Sequence, residues 1–397
     1  MNKSIGFLLV AQFLTAFADR ALLFILIVLI GTLELAAWNK PVIQIAFILA
    51  YVFFAPLAGA YSDSHHKRNV LLKGNVIKLV GVACIFFFMI PVLQQWALLL
   101  GYFIVGVGAV IFSPAKYGLL PELVEEKKLV QVNSWLEGTT ILAILIGQIA
   151  GASLGQQGII LALIVVIIIY AVSAMLSYGV ELTPIRGRES SNTFIEFKQD
   201  MFSLLKSDYA RFSLLSVSMF WAIAAVLQLL LFEWSALVLG ITDEVEISTF
   251  GLAISIGIII GALVVPLVIK LNTLRRVRFP AFIMGIFVVL LSMASTVNMT
   301  YLVLVCVGVC GGMLVVPINA ALEDIGHHSV GSGGAVAVQR FFENTSMAVG
   351  LVVYTLVLAL GIPADTIMFA LGVIIILMTM YITFKLPKKP LTPDHSR

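Results

Sequence analysis

The chain has 397 residues, 61% of them hydrophobic and 11% charged, with a mean hydropathy of +1.09 and a formal net charge of +3. That balance excludes a soluble globular domain, which needs far more charge on its surface. The basic residues sit in short loops and form no basic domain, so nothing points to nucleic-acid binding.

A helix needs about 20 mainly apolar residues to cross the bilayer. Such runs occupy approximately 5–33, 42–62, 69–91, 96–115, 131–155 and 158–180, then 209–238, 247–270, 279–297, 300–322, 333–360 and 363–386. These predict about twelve transmembrane helices, because backbone amides in lipid must be satisfied within the segment and the runs lack the short alternating pattern of barrel strands. The first run continues past Asp19-Arg20 and reads as a retained span rather than a leader. The fold class expected is all-α, a polytopic membrane protein with two six-helix pseudo-symmetric bundles. The longest polar segment holds Pro184, Gly187, Ser190 and Ser191 and separates the halves. The expected division is 1–180 for the first bundle, 181–208 for a cytoplasmic linker, 209–386 for the second bundle and 387–397 for a cytoplasmic tail.

Lysine and arginine fall on one side of these spans. His65-His66-Lys67-Arg68, Lys127-Lys128, Arg186, Arg188, Lys198, Lys206, Arg275-Arg276, Arg278, Lys385, Lys388 and Lys389 share that side, whereas the opposite loops carry only Lys40. The bias predicts that both termini are cytoplasmic.

The halves resemble each other at an offset of roughly 205 residues, as parallel repeats do. Trp135-Leu136-Glu137-Gly138-Thr139-Thr140 answers to Phe341-Phe342-Glu343-Asn344-Thr345-Ser346, and Arg20-Ala21-Leu22-Leu23-Phe24 to Gln228-Leu229-Leu230-Leu231-Phe232. Phe112-Ser113-Pro114 likewise corresponds to Val315-Val316-Pro317.

Ionisable residues inside a bilayer are costly, so Asp19, Arg20, Lys78, Glu137, Glu233, Arg340 and Glu343 need partners or water. Asp19 and Arg20 are adjacent and point about 100° apart on a helix, so they do not simply neutralise each other. Glu137 and Glu343 occupy repeat-equivalent positions, where a helix staple explains the duplication as well as a binding site does. Lys78 reads as a structural cation able to snorkel beside Lys73, and Glu233 as a rim residue. Gly101, Gly106, Gly108, Gly308, Gly311 and Gly312 allow close helix approach, while Pro114 and Pro317 interrupt the hydrogen-bond ladder.

Catalytic and cofactor motifs find no counterpart. Gly331-Ser332-Gly333-Gly334 lacks the lysine and the strand-turn-helix setting of a phosphate loop. His65-His66 and His327-His328 have no carboxylate or cysteine at ligand spacing, and Cys84, Cys306 and Cys310 all lie in apolar runs. The reading is therefore of a non-enzyme, with neither metal nor cofactor.

Gly59-Ala60-Tyr61-Ser62-Asp63 followed by Lys67-Arg68, between the second and third of twelve spans, resembles the loop signature of the major facilitator superfamily. His66 stands where that family usually has glycine. Asp63, Lys67 and Arg68 would then be structural or gating charges, with Lys78, Glu137 and Arg340 assigned to the same group. Ala11 through Phe24, Phe112 through Gly118, Gly240-Ile241-Thr242-Asp243 and Val316-Pro317-Ile318-Asn319-Ala320 are similar to the bacterial lysophospholipid transporters of that superfamily. The resemblance implies movement of lysophospholipid, chiefly lysophosphatidylethanolamine, from the outer to the inner leaflet of a bacterial inner membrane. A cytoplasmic acyltransferase with acyl-carrier-protein synthetase activity would then restore the second chain.

Two positions depart from the family pattern: Arg20 stands where asparagine is expected, and Gln228 where arginine is expected. Because they are repeat-equivalent, the hypothesis is that the cation has moved from one half to the other. The double variant Arg20→Asn/Gln228→Arg should then regain transport that Arg20→Asn alone loses; a double variant as inactive as the single one sinks the idea.

Such a substrate needs a polar pocket for a zwitterionic headgroup and an apolar wall for one acyl chain, since each methylene exposed to water costs about 0.8 kcal/mol. Under that resemblance Arg20 and Lys116 pair with phosphate, Asp19 or Glu343 accepts from the ammonium, and Gln228, Asn319 and Asn344 supply neutral hydrogen bonds. The competing reading is a proton-coupled exporter of amphipathic drugs, with Asp19, Glu137 or Glu343 as proton carrier.

Overall fold

The computed structural model describes residues 3–123, 126–182, 193–269, 271–330 and 332–385. The expected tail 387–397 and residues 183–192 of the expected linker lie outside the described residues. The helices in chain order are α1 Lys3–Thr32, α2 Asn39–Asp63, α3 Lys67–Ile85, α4 Gln94–Leu123, α5 Glu126–Gln157, α6 Ile159–Tyr178 and α7 Thr193–Lys206. They continue as α8 Asp208–Trp234, α9 Glu244–Val268, α10 Arg278–Ser292, α11 Val297–Ser329, α12 Ser332–Ala359 and α13 Ala364–Lys385. No strand occurs among the described residues.

Eleven of these helices, among the described residues, are long and apolar enough to cross a membrane. The exceptions are α7 and α10. Composition predicts a full span over 279–297, but α10 has only 15 residues, about 22 Å at 1.5 Å per residue. It stops at Ser292 because the next helix starts early: the Thr296 side chain accepts a hydrogen bond from the Met299 amide and caps α11. On its other side the 3₁₀ segment Leu271–Val277 runs directly into α10.

The chain forms two compact units, Met1–Phe194 and Ile195–Arg397. Within the first, α1 packs on α5 and α6, α2 on α4, and α3 on α4 and α6. Within the second, α8 packs on α12 and α13, α9 on α11, and α10 on α11 and α13. The pairing scheme is the same in both, so the duplication seen in sequence is also a duplication of packing. Large side chains such as Leu263 and Met175 are some three-quarters exposed (73% and 75%). In so apolar a chain these outward faces are lipid-facing surface.

Glycine sets the closest approaches. A Cβ on Gly81 would lie 2.6 Å from the Gly101 carbonyl oxygen, and one on Gly101 would lie 2.7 Å from the Gly81 carbonyl oxygen, which joins α3 to α4. Gly147, Gly151 and Gly155, spaced four apart on α5, lie against Phe17, Ala21 and Val28 of α1. Gly257 of α9 faces Gly308 of α11, and Gly285 of α10 faces Gly372 of α13. Pro114 and Pro317 each remove one rung of the hydrogen-bond ladder, and α4 and α11 run on across them. Loss of one rung is tolerated there because the rest of each long helix stays hydrogen-bonded and packed.

α7 occupies part of the segment that composition assigns to a linker. Phe197, Met201, Leu204 and Leu205 on one of its faces pack with Leu214 of α8, Leu322 of α11 and Val338 and Phe342 of α12. Ser207 then caps α8.

Candidate functional site

In the first unit the polar groups of α1, α3 and α6 meet inside the bundle. Thr15 and Asp19 are one turn apart on α1, Asn75 and Lys78 one turn apart on α3, and Tyr170 and Ser173 one turn apart on α6. Lys78 Nζ lies 2.7 Å from Asp19 Oδ2 and donates to Thr15 Oγ1 at 2.9 Å. Tyr170 donates its hydroxyl to Asp19 Oδ1 at 2.7 Å. Thr15 donates to Asn75 Oδ1 at 2.9 Å, Asn75 Nδ2 to Ser173 Oγ at 3.0 Å, and Ser173 to the Ala11 carbonyl at 2.8 Å. An intramembrane ion pair becomes tolerable when further hydrogen bonds satisfy its remaining capacity, as they do here.

Lys78 therefore does not snorkel beside Lys73. Its side chain is 1% exposed and is held against Asp19, whereas Lys73 is exposed and donates to the Tyr61 hydroxyl at 2.6 Å. The cause is geometric: Gly108 of α4 leaves room for the Lys78 stem, since a Cβ there would stand 2.6 Å from Lys78 Cγ. The rings of Phe112 and Tyr170 lie 5.5 and 5.4 Å from the ammonium. Asp19 keeps 21% of its side chain exposed. Arg20, next along α1, is half-buried with its guanidinium 5.4 Å from the centre of the Phe24 ring. Lys116 is nearly buried on α4, 4.7 Å from the Tyr117 ring.

A second pair ties α3 to α4. Lys67 Nζ lies 2.9 Å from Glu122 Oε1, each side chain being 6% exposed. Lys67 crosses Gly118, where any side chain would overlap its Cε. Arg68 lies 4.6 Å over the Tyr178 ring. The side chains of Asp63 and Glu137 lie outside the described residues, although both positions are on helices.

In the second unit Glu343 organises a cluster on α11 and α12. Gln339 Nε2 donates to Glu343 Oε1 at 2.7 Å and to Asn319 Oδ1 at 3.0 Å. Arg340 Nη1 donates to Glu343 Oε2 at 2.9 Å. Glu343 is 3% exposed and Arg340 is 44% exposed, so a buried carboxylate holds a guanidinium that reaches the surface. Asn344 donates to the Arg340 carbonyl at 2.7 Å. Gln228 is half-buried on α8, the helix that packs on α12.

Six of the candidate residues thus gather into two clusters, one per unit: Asp19 with Lys78, and Asn319 with Arg340, Glu343 and Asn344. Sequence reading missed Thr15, Asn75, Tyr170, Ser173, Glu122 and Gln339. The signal was their spacing, since each except Glu122 stands three or four residues from another polar group of its cluster on one helix. Among the described residues no group of three or more His, Cys, Asp or Glu is placed to hold a metal ion.

Two units with one packing scheme, lipid-facing flanks and buried polar clusters define a polytopic membrane transporter. The Major Facilitator Superfamily model matches residues 8–350, and the chain belongs to that superfamily. It is similar to the lysophospholipid transporter LplT of Escherichia coli O1:K1 / APEC, 37% identical over 375 residues that cover 94% of this chain and 93% of that protein. The lysophospholipid transporter LplT of Klebsiella pneumoniae subsp. pneumoniae is 35% identical over 377 residues, with the same coverage. Among solved structures, a POT family transporter in complex with 5-aminolevulinic acid gives a TM-score of 0.76 at 14% identity, covering 97% of this chain and 96% of that one. A bacterial homologue of the human lysosomal transporter Spinster gives 0.73 at 12% identity, covering 99% and 100%. These structures establish the shared fold. The protein is a transporter and not an enzyme.

Proposed function

We propose that this chain moves lysophospholipid, chiefly lysophosphatidylethanolamine, from the outer to the inner leaflet of the bacterial inner membrane, with both termini cytoplasmic. The observation that carries the reading is full-length similarity, at 37% identity over 94% of the chain, to proteins named lysophospholipid transporters. The one-sided lysines and arginines support the orientation. A cytoplasmic acyltransferase with acyl-carrier-protein synthetase activity then consumes the delivered lipid, and rocking of the two halves supplies alternating access.

The headgroup needs an acceptor for its ammonium and a donor for its phosphate. Asp19, one-fifth exposed, suits the ammonium better than Glu343, whose side chain is 3% exposed. Arg20 and Lys116 suit the phosphate by charge-assisted hydrogen bonds, with Gln228, Asn319 and Asn344 as neutral partners. The acyl chain stays against apolar wall or lipid through a lateral opening, because passage through water costs about 0.8 kcal/mol per methylene.

The test is transfer of labelled lysophosphatidylethanolamine between the leaflets of liposomes containing the purified protein. Transfer that persists without a pH gradient is expected of a facilitator. Strict dependence on a proton gradient, with amphipathic drugs as the better substrates, would instead identify a coupled exporter.

A further inference from the structure

The Asp19–Lys78 pair is lopsided. The Asp19 side chain is 21% exposed and the Lys78 side chain 1% exposed, so the anion lies on the accessible side of the pair and its counter-ion behind it. Lys78 is fixed there from four helices. Asp19 and Thr15 of α1 accept its protons, Asn75 one turn away on α3 bonds Thr15 and Ser173, Tyr170 of α6 bonds the same carboxylate, and Gly108 of α4 makes room for its stem. An incoming headgroup therefore meets a carboxylate whose charge is already balanced from the rear, at a distance of 2.7 Å. At that separation the field of the pair on a third charge is dipolar, far weaker than that of a lone carboxylate.

We infer that Lys78 is a specificity-determining positioning residue: by neutralising Asp19 from behind, it sets how strongly the site prefers a headgroup that carries an ammonium over one that does not. This inference rests on the lysophospholipid reading. A role confined to stapling α1 to α3 would alter every substrate alike. A role in charge balance alters the ratio between substrates, because removing the lysine leaves Asp19 a net anion. That anion attracts an ethanolamine headgroup and repels a phosphate that brings no compensating cation.

The experiment compares initial rates against concentration for lysophosphatidylethanolamine and lysophosphatidylglycerol, which differ in the ammonium, in liposomes holding the unaltered protein, Lys78→Met, or Asp19→Asn/Lys78→Met. Lys78→Met is expected to raise the preference for the ethanolamine lipid, as a ratio of kcat/KM values, by about tenfold, a modest share of the Coulomb energy of one uncompensated charge near a protein surface. The double variant replaces the neutral pair by two neutral side chains and is expected to stay within about threefold of the unaltered ratio, the behaviour of a coupled pair in a double-mutant cycle. Lys78→Met that slows both lipids equally overturns the inference. If Lys78→Met yields no folded protein, the double variant decides alone, and a ratio displaced by more than about tenfold overturns the inference because a balanced pair has no such net field. Transport of neither lipid by the unaltered protein overturns the lysophospholipid reading together with the inference, whereas transport with an unmoved ratio in Lys78→Met overturns the inference alone.

Discussion

Gly308→Leu is expected to abolish recovery of folded protein. Gly308 of α11 lies against Ile254 and Gly257 of α9, and a Cβ there would overlap the Ile254 carbonyl oxygen and stand 2.9 Å from Gly257 Cα. Overpacking a core costs about 1–3 kcal/mol where side chains can shift. Here the obstacle is backbone on a facing helix, so the cost reaches or exceeds about 3 kcal/mol, a large share of the roughly 5–15 kcal/mol that stabilises a folded domain. Size-exclusion chromatography after detergent extraction reads the outcome as loss of the monodisperse peak. Gly138→Leu is the control, since nothing lies within 4 Å of a Cβ at that position. A Gly308→Leu protein recovered in normal yield would show that α9 and α11 are not packed through this glycine.

Lys67→Met is the second large effect. Lys67 and Glu122 form an ion pair whose side chains are both 6% exposed, across the contact between α3 and α4. Removing the ammonium leaves the carboxylate in a poorly solvated place, and breaking a buried pair from one side costs about 3–5 kcal/mol. The double variant Lys67→Met/Glu122→Gln removes both charges and is expected to recover most of the loss, since neutral replacement of a buried pair is often tolerated. Thermal unfolding followed by tryptophan fluorescence checks both. Equal destabilisation in the single and double variants would mean that the packing of the Lys67 stem over Gly118, rather than charge, is what matters.

The spans were legible because lipid imposes one rule, about 20 apolar residues in a row, on every crossing. The rule counts residues and does not see caps. That is why the stretch 279–297 reads as one span although Thr296 ends the interval after Ser292 by starting α11. The duplication was legible from Glu137 with Glu343 and Arg20 with Gln228, and it reappears in the paired packing of α1 with α5 and α8 with α12.

The site was only half legible. Costly charges announce themselves in an apolar run, so Asp19, Lys78 and Glu343 stood out. Their partners did not: Lys78 is 59 positions from Asp19 and Tyr170 is 151 positions away, and only tertiary packing brings them together. Gln339 and Arg340, at four and three residues before Glu343, formed the local part that helix periodicity could reveal.

The most direct measurement is leaflet transfer by the purified protein. Labelled lysophosphatidylethanolamine is placed in the outer leaflet of liposomes, sampled by albumin extraction, and recovered for chemical identification at the end. The expected result is a fraction that becomes protected from extraction, chemically unchanged, and that is absent from liposomes without the protein. Lipid that stays fully extractable, or that is recovered chemically altered, would contradict lysophospholipid transport.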